Sequence, residues 1–154
     1  MSDEHDWRGT RTWTPADATA ALPLVRRIVD DLVVGYRRWR DAVDAFEYAT
    51  SGTRADVPSE SRAEADRLMA EAQRLAADID LFRGELARLD IRVTRVDHGL
   101  VAFRGERDGD IVPLLWAPGM PAPSYDWPES VPAYGTSISW PSRAQLVAGK
   151  RSRA

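Results

Sequence analysis

Residues 61–89 read SRAEADRLMAEAQRLAADIDLFRGELARL, and the apolar positions of this stretch keep a strict rhythm over four heptads. Ala65, Leu68, Ala72, Leu75, Ile79, Phe82, Leu86 and Leu89 alternate steps of three and four. That spacing is the seam of a helix packed lengthwise on another helix, in the manner of a coiled coil. Ser61 followed by Glu64 supplies a capping-box signature at its start.

The partner helix is found upstream. Val25, Ile28, Leu32, Tyr36, Trp39, Val43 and Phe46 form one stripe between Leu24 and Tyr48, with Leu24, Val29 and Val33 beside it. The N-terminal half of this helix is therefore wider in its apolar face than one partner requires. A second neighbour is implied, either a sheet or another subunit. In the second case Val29, Val33 and Trp39 mark an interaction surface. Thr14-Pro15-Ala16-Asp17 places a capping threonine, a proline at the first helical position and an acid that complements the helix dipole. Pro23 lacks the donor its turn needs, so the reading predicts a bend or break there, with 15–22 as a separate turn. Residues 50–59, TSGTRADVPS, form a turn-rich connector that folds the two helices into an antiparallel hairpin.

Downstream of Leu89 the period falls to two. Ile91 and Val93 alternate with Arg92 and Thr94, Asp97-His98-Gly99 offers a turn, and 100–104 reads as a returning strand. Asp108-Gly109-Asp110 marks the next turn, and 111–116 is a third strand that Pro113 pushes to an edge or a bulge. The proline-rich stretch from Ala117 to Gly135 is expected to wrap over the body in extended form. The fold class is α+β: a long antiparallel helical hairpin, a small antiparallel sheet of about three strands, and a C-terminal wrap. The 154 residues suit one domain, 1–154, with an ordered core at 12–140 and flexible tails at 1–11 and 141–154.

The absence of cysteine excludes disulfides, thiol nucleophiles and cysteine-ligated metals. A formal net charge of −3, with acids and bases interleaved, disfavours nucleic-acid binding by bulk charge, although 141–154 is a basic tail. No run approaches the roughly 18 apolar residues of a membrane span, and the opening MSDEHDWRGTRTW lacks a basic-then-apolar leader, so the expected location is the cytoplasm.

WTPADATAALP at 13–23, LDIRVTRVDHGLVAF at 89–103 with RDG at 107–109, and LLW with Gly119 at 114–119 occur in an order that resembles a family of small bacterial proteins, domain of unknown function 2203. The resemblance implies two long helices followed by a few strands, and no established activity. The family pattern has an aromatic-His-Asp cluster after the last strand, an acid after the Gly-Leu pair and a late Gly-Arg pair. Here those places hold Tyr125-Asp126-Trp127, Ala102 and Gly135-Thr136, and only Asp97 carries over.

Chemical signatures are few. Asp97 and His98 put a carboxylate and an imidazole at a strand end, and Asp126 is the acid nearest the family's lost cluster, so these three are the candidate ligand-binding residues. Asp, His and Gly are also ordinary turn residues. No nucleophile elbow, phosphate loop or metal-ligand spacing is present, so no catalytic residue, metal or cofactor is assigned. The sequence points to a non-catalytic interaction or assembly module working through its helices, with a protein partner or as a homodimer. The alternative is a small-molecule or metal-binding protein, or an enzyme, with a cleft between sheet and wrap.

Overall fold

The computed structural model describes residues 11–51 and 59–132. Helix α1 (Pro15–Thr50) and helix α2 (Ser59–Arg88) are followed by β1 (Ile91–Arg95), β2 (Leu100–Arg107) and β3 (Asp110–Trp116). The strands form one antiparallel sheet in the order β1-β2-β3. This is the α+β hairpin-and-sheet architecture expected. The helix connector at 52–58 and the segment 133–154, which holds the basic tail, lie outside the described residues, as does 1–10. No described helix is long and apolar enough to cross a membrane. The chain divides into two compact units. One contains 11–33 and 81–132 with the whole sheet, and the other contains 34–51 and 59–80.

Helix α1 starts where its cap requires. The Asp17 N–H donates to the Thr14 hydroxyl at 3.0 Å, and the Ala18 N–H donates to the Thr14 carbonyl at 2.9 Å. The break predicted at Pro23 does not occur, and α1 runs 36 residues without interruption. Pro23 and Thr19 are both exposed, so the Thr19 carbonyl left without its helical donor can be hydrated, while Ala18, Leu22 and Val25 are anchored in the core on the opposite side. Helix α2 begins two residues before the predicted cap. Ser61 is already helical, and Glu64 reaches forward to Arg67 instead of back to a cap.

In the helical unit the buried positions only partly follow the heptad seam: Ala72, Leu75 and Ile79 are buried, Ala65 and Leu68 are half-buried, and Met69 and Ala76 beside the seam are buried as well. Tyr36, Trp39 and Ala42 of α1 are also buried. The other faces carry ion pairs such as Arg74 with Glu71 at 2.6 Å. That hydrogen bond, aided by the charges of Arg74, Arg67 and Arg38, holds the Glu71 carboxyl below its ordinary range.

In the sheet unit, β2 is buried from Leu100 through Phe103 on both faces. One face pairs Ile91 with Phe103 and Val101 with Trp116, and α1 lies against this part of the sheet: Arg26 stands over the Trp116 ring at 5.8 Å. The opposite face gathers Leu100, Ala102, Leu115 and Ala117 under Val131 and Met120 of the wrap. The described part of the expected wrap, 118–132, crosses this face mainly through turns and bends instead of in extended form, with a strand-like bridge between Leu115 and Ser124. Asp108 and Gly109 both take positive φ, 54° and 86°, between the paired Arg107 and Asp110, which is the two-residue turn demanded by a tightly twisted hairpin.

Gly99 closes the other hairpin at φ 67°, and a Cβ there would stand 2.9 Å from side-chain carbons of both Val29 and Val33. Gly99→Ala is expected to lower stability by about 2–4 kcal/mol, since left-handed strain and overpacking add. Gly109→Ala, at φ 86° with open space around it, should cost only about 1 kcal/mol, from backbone strain alone. Urea denaturation midpoints of the two variants check the difference.

Candidate functional site

Two of the three sequence candidates, Asp97 and His98, share the turn between β1 and β2. A register shift between Val93 and Arg95 bulges the strand just before it, and bulges re-aim side chains. Val96 is buried beneath the turn, while the His98 and Gly99 N–H groups donate to the carbonyls of Arg95 and Val96 at 3.2 and 3.3 Å.

The re-aimed Arg95 organises the corner. Its Nε donates to Asp97 Oδ1 at 3.1 Å and its Nη2 to Oδ2 at 3.0 Å, a bidentate pair, while Nη1 donates to the Pro132 carbonyl at 2.8 Å. One guanidinium thus ties the turn to the end of the wrap. Burial pushes the Asp97 carboxyl up, but the Arg95 hydrogen bonds, with the charges of Arg95 and His98, outweigh it and hold the group below the usual carboxylate range. His98 Nε2 lies 3.7 Å from Asp97 Oδ2, close enough for charge interaction when the ring is protonated and too far for a hydrogen bond.

Asp126 is exposed on the wrap, where its N–H donates to the Ser124 hydroxyl at 3.1 Å. Among the described residues no group of three His, Cys, Asp or Glu side chains could hold a metal ion, so Asp126 does not complete a metal set with Asp97 and His98. The residues named as an interaction surface lie elsewhere than a surface reading requires. Val29 is fully buried and Val33 half-buried, both against the Gly99 turn, and Trp39 is buried with its ring 5.8 Å from that of Tyr36. Of the extra width of the α1 stripe, Val29 and Val33 thus face the sheet hairpin of their own chain, while Leu24 is exposed.

Two polar anchors escaped the sequence reading. Asp90, at φ 59° and buried, follows the end of α2 and accepts the Arg11 N–H on its carboxylate at 3.2 Å. Trp13 donates its indole N–H to the Leu89 carbonyl at 2.7 Å and its backbone N–H to Arg104 at 2.8 Å, and stacks edge-on against Phe103 at 5.2 Å. The Arg-x-Asp spacing at 95–97 was a usable signal for the clasp, whereas nothing local marks Asp90 or Trp13.

The family model described as "Uncharacterized conserved protein (DUF2203)" matches residues 11–125. The chain belongs to this family. The DUF2203 match takes in the Trp13 anchor, both helices, the sheet and the Arg95-Asp97-His98 corner, and it ends before Asp126, Val131 and Pro132. No curated protein and no solved structure matches the chain.

The clasp predicts an acid-dependent stability. Because the folded Asp97 carboxyl titrates below its unfolded value, its contribution is complete above the unfolded range near pH ~4 and is lost as pH falls through the folded value. Arg95→Met should cost about 2 kcal/mol at neutral pH, in line with hydrogen bonds to charged groups. The gap between wild type and Asp97→Asn should narrow as pH falls below about 4. Denaturant titrations at pH 7 and at pH ~3 measure both.

Proposed function

We propose that this DUF2203 protein is a non-catalytic assembly module that associates with a second copy of itself through its helices. The observation carrying this reading is where large apolar side chains remain in water. Leu24 and Val34 of α1 are 50% and 45% exposed, Tyr48 is 85% exposed, and Leu81 of α2 is 67% exposed. Each of these side chains is available for a helix-mediated interface to cover. The polar candidates support the same reading, since the Asp97 carboxylate is engaged on both oxygens by Arg95. The sheet face beneath the wrap is filled by Leu100, Ala102, Leu115, Val131 and Met120.

Light scattering at tens of micromolar tests it. The wild-type chain is expected to run as a dimer, and Leu81→Lys or Val34→Glu to shift it to monomer while changing monomer stability by no more than about 0.5 kcal/mol, as surface substitutions do. A monomeric wild type would overturn the reading.

A second reading rests on the proximity of His98 to Asp97 at 3.7 Å. An imidazole beside an ionised carboxylate is a proton-transfer or ligand-binding pair, which would serve a small polar ligand at the turn. Titration calorimetry with zinc, comparing wild type with His98→Ala, should then show heat that the variant lacks; identical traces would remove the metal form of this reading.

A further inference from the structure

The wrap is fastened to the sheet in two different ways along its length. Up to residue 125 it bonds the strands directly. The Trp116 indole N–H donates to the Met120 carbonyl at 2.9 Å, Leu115 and Ser124 exchange N–H and C=O at 2.6 and 2.8 Å, and the Tyr125 hydroxyl donates to the Glu106 carbonyl at 3.1 Å. Arg107 of β2 also stands over the Tyr125 ring at 5.2 Å.

From Asp126 onward the bonding turns inward. The Asp126 N–H donates to the Ser124 hydroxyl at 3.1 Å, the Val131 N–H to the Pro128 carbonyl at 3.2 Å, and the Trp127 indole N–H to the Val131 carbonyl at 2.7 Å. Residues 127–131 therefore close a turn on themselves, stiffened by the fixed φ of Pro128. The match to the family model ends at 125, where the bonding changes.

Among the described residues this turn is held to the strands by one side chain and one hydrogen bond. Val131, 3% exposed, is set in the cluster of Leu100, Ala102, Leu115 and Ala117. The carbonyl of the next residue, Pro132, accepts from Arg95 Nη1 at 2.8 Å. Asp97 aims that donor, because it grips the Nε and Nη2 of the same guanidinium at 3.1 and 3.0 Å. A segment with so few ties to the body and a structure of its own is what opens first in a native protein.

We propose that residues 126–132 form a lid on the sheet, closed by insertion of Val131 and latched by Arg95, with Asp97 as the positioning residue of the latch. Released, the lid swings from the Tyr125 anchor with its own turn intact and uncovers the apolar cluster that Val131 fills. The rest of the sheet unit stays folded.

Single cysteines read the lid cleanly, because the chain has none of its own. In the full chain, Val131→Cys reports the lid and Val25→Cys, at a fully buried position of α1, reports unfolding, each through its rate of reaction with dithionitrobenzoate. Val131→Cys is expected to react far more slowly than a free thiol yet on the order of 100-fold faster than Val25→Cys, and its rate should stay flat over low urea while that of Val25→Cys climbs. Adding Arg95→Met should speed Val131→Cys by roughly 10- to 100-fold, the worth of one hydrogen bond to a charged group, with the rate still flat in urea. Asp97→Asn should speed it too and add nothing once Arg95 is replaced. A rate at Val131→Cys equal to that of a free thiol, or one that matches Val25→Cys in size and urea dependence, overturns the proposal. So does a rate that Arg95→Met leaves unchanged, and additive effects of the two substitutions remove Asp97 from the latch. If Arg95→Met does not fold, Arg95→Lys, which keeps the charge and loses the fork, is read by the same outcomes.

Discussion

β2 is apolar on both faces, and a strand of that kind can be kept from water only if the sheet is covered twice. Val101 and Phe103 face one way and Leu100 and Ala102 the other, all fully buried. Two covers are supplied from opposite ends of the chain: the first turns of α1 bring Val25, Ile28, Val29 and Leu32 into the core, and the wrap brings Met120 and Val131. Burial of this kind contributes roughly 1.5–3 kcal/mol for each large side chain, so neither cover is dispensable. The polar contacts then fix position. Arg95 grips Pro132, Ser124 bridges Leu115, and the Trp116 indole donates to Met120, each holding one point of a segment that has no regular secondary structure of its own.

The architecture was legible because its signals are local. The cap at Thr14, the change of period after Leu89 and the Asp-Gly turn at 108–109 each reflect backbone chemistry within a few residues, and each element stands where that chemistry puts it. The family resemblance read from 13–23, 89–103 and 114–119 agrees with the family to which the chain belongs. The errors at Pro23 and Ser61 differ in kind. At Pro23 a local rule was applied where tertiary anchoring decides, since Leu22 and Val25 are buried on either side of the proline; the start of α2 two residues upstream of the best local cap has no tertiary contact to explain it among the described residues.

The candidate site was legible only in part. Asp97 and His98 were placed in the right turn, but the partner that determines their state, Arg95, was read as a strand residue. The bulge that turns its guanidinium toward Asp97 and Pro132 has no signature in five residues of IRVTR. Val29 and Trp39 show the complementary limit. Periodicity reveals that a helix face is apolar and wide, and it is silent on whether the covering neighbour belongs to the same chain. Here the Gly99 turn supplies that neighbour for Val29.

The Trp13 anchor has a consequence for how the chain comes to be folded during synthesis. Its indole reaches a carbonyl 76 positions later, and its backbone bridges to Gly105. A nascent chain emerging from the ribosome can wind α1 as soon as that helix is out, because helical bonds are short-range. Trp13, by contrast, must wait until Leu89 and Gly105 have appeared. Loop closure over such a separation is entropically costly and slow. Trp13 is therefore among the later of the described residues to lock, and its docking reports that translation has passed β2.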